Sequence, residues 1–169
     1  SFIKWVIDFR VNENIIKYLA HPKLKNFSSR GPVTPDHVIR TKSKPLILNL
    51  KNIKTENLDN FVKNEIKKFK TNYKNYYLKN KKYVANTIEL DPNPRLIFVP
   101  NLGMIGIGRS KKEAKIASDL AEVTVDVISN AESIGKFVSI PDKEIFKVEY
   151  WPLEQAKLKT LKRASLTGN

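Results

Sequence analysis

The chain is 169 residues long with a formal charge of +14 and 41% hydrophobic residues, which suits one folded domain with a core rather than a disordered polycation. No apolar run approaches the roughly 18 residues of a membrane span. The absence of cysteine excludes disulfides and thiolate chemistry, two histidines cannot make an all-histidine zinc site, and the composition fits a cytoplasmic protein.

The chain begins with Ser1 and ends in SLTGN, and we expect a segment of a longer polypeptide. Asn12 is placed to cap a short helix reaching Ala20, with Ile15, Ile16 and Leu19 on its apolar side. His21-Pro22 ends that helix, and His21 reads as a helix-end residue rather than a ligand. The run TPDHVIRTK, Thr34 to Lys42, has neither a helical nor a strand period and reads as a loop. It concentrates Asp36, His37, Arg40 and Lys42 where Pro35 stiffens the chain. These four are the candidate site for an anion or a sugar hydroxyl, because loops carry function more often than they carry core. The same run also reads as a surface turn feeding the strand PLILNL at 45–50, with Arg40 paired to Glu149 or Glu154 as a latch.

Leu58, Phe61, Val62, Ile66, Phe69, Tyr73 and Tyr77 recur at helical spacing and predict an amphipathic helix over 56–78, its lysines outward. Between Lys42 and Lys82 there are 12 lysines, three acids and no arginine. Arginine supplies the bidentate contacts to phosphates and bases. This face therefore reads as solvated, and the charge argues against a nucleic-acid module. The tyrosines among these lysines read as core and rim packing.

DPNP at 91–94 is a turn. RLIFVP at 95–100 and the apolar run at 104–107, joined by Asn101-Leu102-Gly103, predict a β-hairpin. Ser110 and Glu113 match a capping box. The helix they open runs to Ile134, with Leu120 deep in the core and Gly135 as a left-handed stop. The tail is expected to be helical from Pro152, with Glu154 in its first turn.

Gly103 to Ser110 nearly spells the phosphate loop G-x-x-x-x-G-K-S between a strand and a helix. Arg109 stands where the lysine belongs, and the residues between are apolar, as a buried strand requires. The run is GxxGxG rather than GxGxxG, so the dinucleotide fingerprint also fails. No carboxylate pair or serine stands in a catalytic context, and no catalytic residue is assigned.

Three runs, GPVTPDHVIRTK, DPNPRLIFVPNLGMIGIGRSKKEAKIA and EIFKVEYWPLEQAKL, together resemble the middle region of bacterial fusion proteins. Those proteins join a class II aldolase domain to a short-chain dehydrogenase, as rhamnulose-1-phosphate aldolase/alcohol dehydrogenases. The resemblance runs from Val11 to Gly168. The segment from Pro94 to Gly135 is also similar to the C-terminal part of the class II aldolase fold. There a strand ends in a His-Gly turn whose histidine is a zinc ligand. Leu102 stands at that position, so the resemblance implies a metal-free copy. The paired histidines and catalytic glutamate of the family have no counterpart here.

The resemblance implies zinc and NAD(P) for the parent protein and no cofactor in this segment. It implies partners in the flanking aldolase and dehydrogenase domains, and a homo-oligomer. The expected fold is α/β, a small sheet with flanking helices. An aldolase-like segment is expected over 1–141 and a helical connector over 142–169 leading to a dehydrogenase domain. The expected function is that of the connecting part of a sugar-phosphate aldolase/dehydrogenase, inactive alone. The alternative is a non-catalytic sugar-phosphate-binding or subunit-assembly module.

Overall fold

A computed structural model describes residues 4–152, apart from the side chain of Asp36. The fold is α/β, with a four-stranded mixed sheet flanked by helices. Strands β1 (Val6–Arg10), β2 (Leu46–Ile47), β3 (Leu96–Val99) and β4 (Gly103–Gly108) lie in the order β1-β4-β3-β2. β4 is antiparallel to both β1 and β3, and β2 runs parallel to β3. The helices among the described residues are α1 (Glu13–Leu19), α2 (Leu24–Ser28), α3 (Pro35–Thr41), α4 (Leu58–Asn80), α5 (Lys111–Ile134) and α6 (Asp142–Glu149).

The hairpin of β3 and β4 forms as expected. Asn101 and Gly103 both take positive φ in its turn, at 63° and 149°. A Cβ at Gly103 would sit 2.6 Å from the carbonyl oxygen of Arg10, so the turn needs glycine for space as well as for conformation. β4 then lies directly under α5. Small residues on α5 (Ala114, Ala117, Ser118 and Ala121) are buried against it. Gly106 lets the helix come close, because a Cβ there would lie 2.5 Å from the carbonyl oxygen of Ala114. The phosphate-loop look-alike is thus a strand whose glycines make room for a helix.

α5 begins as the sequence predicts. The Ser110 hydroxyl accepts from the Glu113 amide at 3.2 Å, while the Glu113 carboxylate accepts from the amide of Arg109 at 2.7 Å. Asn12 likewise caps α1 by accepting from the Ile15 amide at 2.9 Å. Under α5 lies the main core, with Ile15, Leu19, Phe27, Phe98, Met104, Val125 and Ile128. α4 covers the opposite face, where Phe61, Val62, Ile66 and Phe69 pack on Leu46, Leu48, Ile97 and Val99.

Several expectations are corrected. TPDHVIRTK is not a loop: Pro35 to Thr41 form α3, with proline in the first turn and Thr34 extended before it. Its helical stripe is the buried set His37, Val38 and Thr41. The strand at 45–50 shortens to Leu46–Ile47. Leu48 still donates to the Phe98 carbonyl at 2.9 Å before the chain turns away. Gly135 is the C-cap of α5, but at φ 179° it is extended rather than left-handed. β1 and α2 have no counterpart among the expected elements. α6 falls inside the expected connector, yet it buries Ile145 and Phe146. The helix expected from Pro152, with Glu154, lies outside the described residues.

Leu120 is half-buried rather than deep, while Val125 and Ile128 are fully buried. Ile128→Ala should therefore cost about 2–5 kcal/mol in denaturant unfolding. Leu120→Ala should cost clearly less, and equal losses would contradict the packing described.

Candidate functional site

Where α3 ends, the chain must reverse into Pro45 and β2. Lys42 makes that reversal at φ 68°, ψ 173°, a backbone region almost reserved for glycine. Conformations of this kind cost on the order of 1–3 kcal/mol and persist where the surroundings hold them. The Lys42 side chain runs inward and is 7% exposed. Its Nζ lies 3.5 Å from the centre of the Tyr73 ring on α4, a cation–π contact.

The opposite wall is the C-terminal end of α6. Glu149 is 2% exposed. The Tyr73 hydroxyl donates to Glu149 Oε1 at 2.8 Å and lies 2.9 Å from the Tyr150 hydroxyl. Tyr150 also accepts from the Leu90 amide at 3.4 Å and stacks on Phe146 with ring centroids 4.2 Å apart. Three helices and the 89–95 segment thus meet at one polar centre.

Its electrostatics are under tension. Burial depresses the Lys42 ammonium to about 8, although the negative charge of Glu149 works in the other direction. Burial raises the Glu149 carboxyl, against the pull of Lys42, Tyr73 and Tyr76. Burial and the Glu149 charge push the Tyr73 and Tyr76 hydroxyls far up. Among the described residues Lys42 and Glu149 make no direct ion pair. Glu149 Oε2 and the Tyr76 hydroxyl are buried without a hydrogen-bond partner. The centre thus sets an amine of lowered basicity, held over the Tyr73 ring, near a carboxyl of raised affinity for protons that accepts from the Tyr73 hydroxyl.

Beside this centre, Asp91 accepts from Arg109 at 2.8 Å and from Arg95 at 3.3 Å. Burial works to raise Asp91, but the hydrogen bonds of Asn93 and the charge of Arg95 hold it below its ordinary value. Both guanidinium groups face the Trp5 ring, at 3.6 Å for Arg109 and 4.7 Å for Arg95.

The four residues singled out in the sequence separate. Lys42 turns into the centre just described. His37 is 4% exposed. Its Nε2 donates to the Leu120 carbonyl at 3.0 Å, and in the neutral ring Nδ1 accepts from the Thr34 hydroxyl at 2.7 Å. His37 and Lys42 line a cavity of about 20 Å³, room for one water molecule, with Tyr18, Ser28, Thr41 and Thr124. Arg40 is exposed, and it is Lys42 rather than Arg40 that faces Glu149. The Asp36 side chain lies outside the described residues. Sequence reasoning missed Tyr73 and Tyr150 as polar partners. Tyr73 was read by its ring alone, and the hydroxyl that meets Glu149 leaves no periodic signal.

The zinc and dinucleotide implied by the resemblance do not fit the described residues. Leu102 is exposed in the hairpin turn, His21 and His37 are far apart in role, and no three His, Cys, Asp or Glu side chains cluster as ligands. Gly106 and Gly108 are filled over by α5 and Gly103 by Phe9 and Arg10, so the run offers no phosphate cradle.

Residues 3–158 match the family described as aldolase class II, second domain. The chain is 28% identical over 157 residues to the uncharacterized oxidoreductase YuxG of Bacillus subtilis (strain 168), covering 92% of this chain and 22% of that protein. It thus spans about a fifth of that relative's length. Among solved structures it is similar to YgbL of Klebsiella pneumoniae, a candidate aldolase/epimerase/decarboxylase. The TM-score is 0.55 at 13% identity, covering 84% of this chain and 56% of that one, a likeness of fold. On the strength of the match across nearly its whole length, the chain belongs to the class II aldolase second-domain family.

Proposed function

We propose that this chain is the aldolase-like connecting part of a bifunctional rhamnulose-1-phosphate aldolase/short-chain dehydrogenase and is inactive by itself. The observation that supports this most is one of proportion. A domain of the class II aldolase family accounts for 92% of this chain but only 22% of a relative named as an oxidoreductase. Leu102 in the hairpin turn supports the second half of the reading, because leucine cannot hold the zinc of such aldolases. Zinc and NAD(P) then belong to the flanking domains, which are also its partners. Arg40, exposed on α3, is the member of the Asp36, His37, Arg40 and Lys42 set best placed to meet an anionic group from outside. Lys42 and His37 fix the segment that carries it.

The test compares the chain alone with the polypeptide that includes both flanking domains. Each is assayed for cleavage of rhamnulose 1-phosphate and for NAD(P)-linked interconversion of the aldehyde released with its alcohol. The longer polypeptide should perform both and the chain alone neither. Cleavage by the chain alone, or neither activity in the longer polypeptide, would overturn the reading.

A further inference from the structure

The sheet has two open edges, and they differ. β2 offers two residues and is preceded by Pro45, which blunts that edge. β1 offers five residues, VIDFR, with no proline or lysine among them. It is bonded on one side only, to β4. The apolar face beside it is also uncovered. α4 buries the β2–β3 half of that face but leaves Ile105 and Ile107 partly exposed. On the outermost strand and its continuation, Ile7 is 65%, Phe9 47% and Val11 54% exposed. A long bare edge with an apolar face is a template for another strand.

The sequence of β1 says which strand fits. Residues opposed across a sheet point to the same face, so a second β1 running antiparallel can meet the first only in registers that keep the two faces apart. Centred on Asp8, the register sets Asp8 against Asp8. Centred on Ile7, it sets Arg10 against Lys4. Centred on Phe9, it pairs Phe9 with Phe9, Ile7 with Val11, and Asp8 with Arg10 twice. Of these three only the last matches apolar to apolar and opposite charge to opposite charge, and a register centred on Val6 would set Ile7 against Trp5, whose ring is already faced by Arg95 and Arg109.

We propose that β1 pairs antiparallel with β1 of a second copy about a two-fold axis at Phe9, joining two sheets into one of eight strands. The proposal is independent of the reaction assigned to the parent protein. The strand itself is charge-neutral, so the repulsion between copies comes from the rest of the surface and is screened by salt. Association should therefore tighten as salt rises from very low to physiological levels.

The chain has no cysteine, so single cysteines report the register directly. Cross-strand Cα separations of about 4.5–5.5 Å lie within disulfide range. Under mild oxidation Phe9→Cys should couple to itself. Ile7→Cys should couple poorly to itself but readily to Val11→Cys when the two are mixed. Sedimentation equilibrium of the unmodified chain should give a dimer, and Ile7→Lys should give a monomer with an unchanged circular dichroism spectrum. Phe9→Lys is a second breaking variant if Ile7→Lys misfolds. A monomer at every concentration and salt level overturns the proposal, as does a dimer that survives Ile7→Lys and Phe9→Lys. Self-coupling of Ile7→Cys as strong as its coupling to Val11→Cys overturns the register.

Discussion

Lys42→Met is expected to destabilise the fold by about 3–5 kcal/mol, the range for removing one member of a buried charged couple. Glu149 would stay buried with its main cationic neighbour gone and Oε2 still without a partner. Lys42→Met/Glu149→Gln should recover wild-type stability or exceed it, because the two groups form no direct ion pair and their desolvation is poorly repaid. The pH dependence follows from the directions of the shifts. Glu149, raised above its ordinary 4.5, contributes stability that is lost as pH rises through its folded value. Lys42, lowered from 10.5 to about 8, contributes stability present above 10.5 and lost as pH falls through about 8. The Lys42 contribution is therefore absent at neutral pH. Urea unfolding of the three proteins should show the wild type gaining on the double variant between about 8 and 10.5. A double variant no more stable than Lys42→Met would mean that the centre holds the helices together and is not under strain.

Gly106→Val should also be damaging, with a loss of about 3 kcal/mol or failure to fold. The new Cβ would stand 2.5 Å from the Ala114 carbonyl oxygen and 2.8 Å from the Ser118 amide, both main-chain atoms that no rotamer change can move. α5 would have to lift from β4, opening the contact that seats Ala114, Ala117 and Ala121. Gly135→Ala is the matched control. Its Cβ would meet only the Ala131 carbonyl oxygen, at 4.0 Å, and its extended φ suits any residue. Thermal unfolding of both variants should separate them widely. A Gly106→Val protein as stable as the wild type would refute the close packing of helix on strand.

The elements legible in the sequence were those with strong local grammar. α5 had a capping box and a long stripe of small residues, and the β3–β4 hairpin had a glycine turn between apolar runs. α3 escaped because seven residues barely complete two turns, and its polar side chains concealed a stripe of only His37, Val38 and Thr41. α6 carries Ile145, Phe146, Glu149 and Tyr150 at helical spacing, but a buried glutamate breaks the apolar pattern on which such readings depend. β1 alternates well enough, with Ile7 and Phe9 on one face and Asp8 and Arg10 on the other. Its apolar face is the exposed one, the reverse of the usual rule. At the polar centre, Lys42 was visible as one of a charged run and Glu149 was considered only as a mate for Arg40. Their meeting depends on where α3 and α6 come to rest, and no local spacing encodes that.

The pairing of β1 with β4 also bears on the order in which the molecule can be made. Val6 meets Gly108, roughly a hundred residues further along the chain. During synthesis β1 leaves the ribosome long before β4, its partner in the sheet, at about 5–20 residues per second. β1 must wait several seconds as an unpaired apolar ribbon. β3 and β4, a local hairpin, can meet as soon as they emerge, and α5 follows at once. The sheet is therefore completed from β3 and β4 outward, and β1, the earliest of its four strands, is the last to find its place.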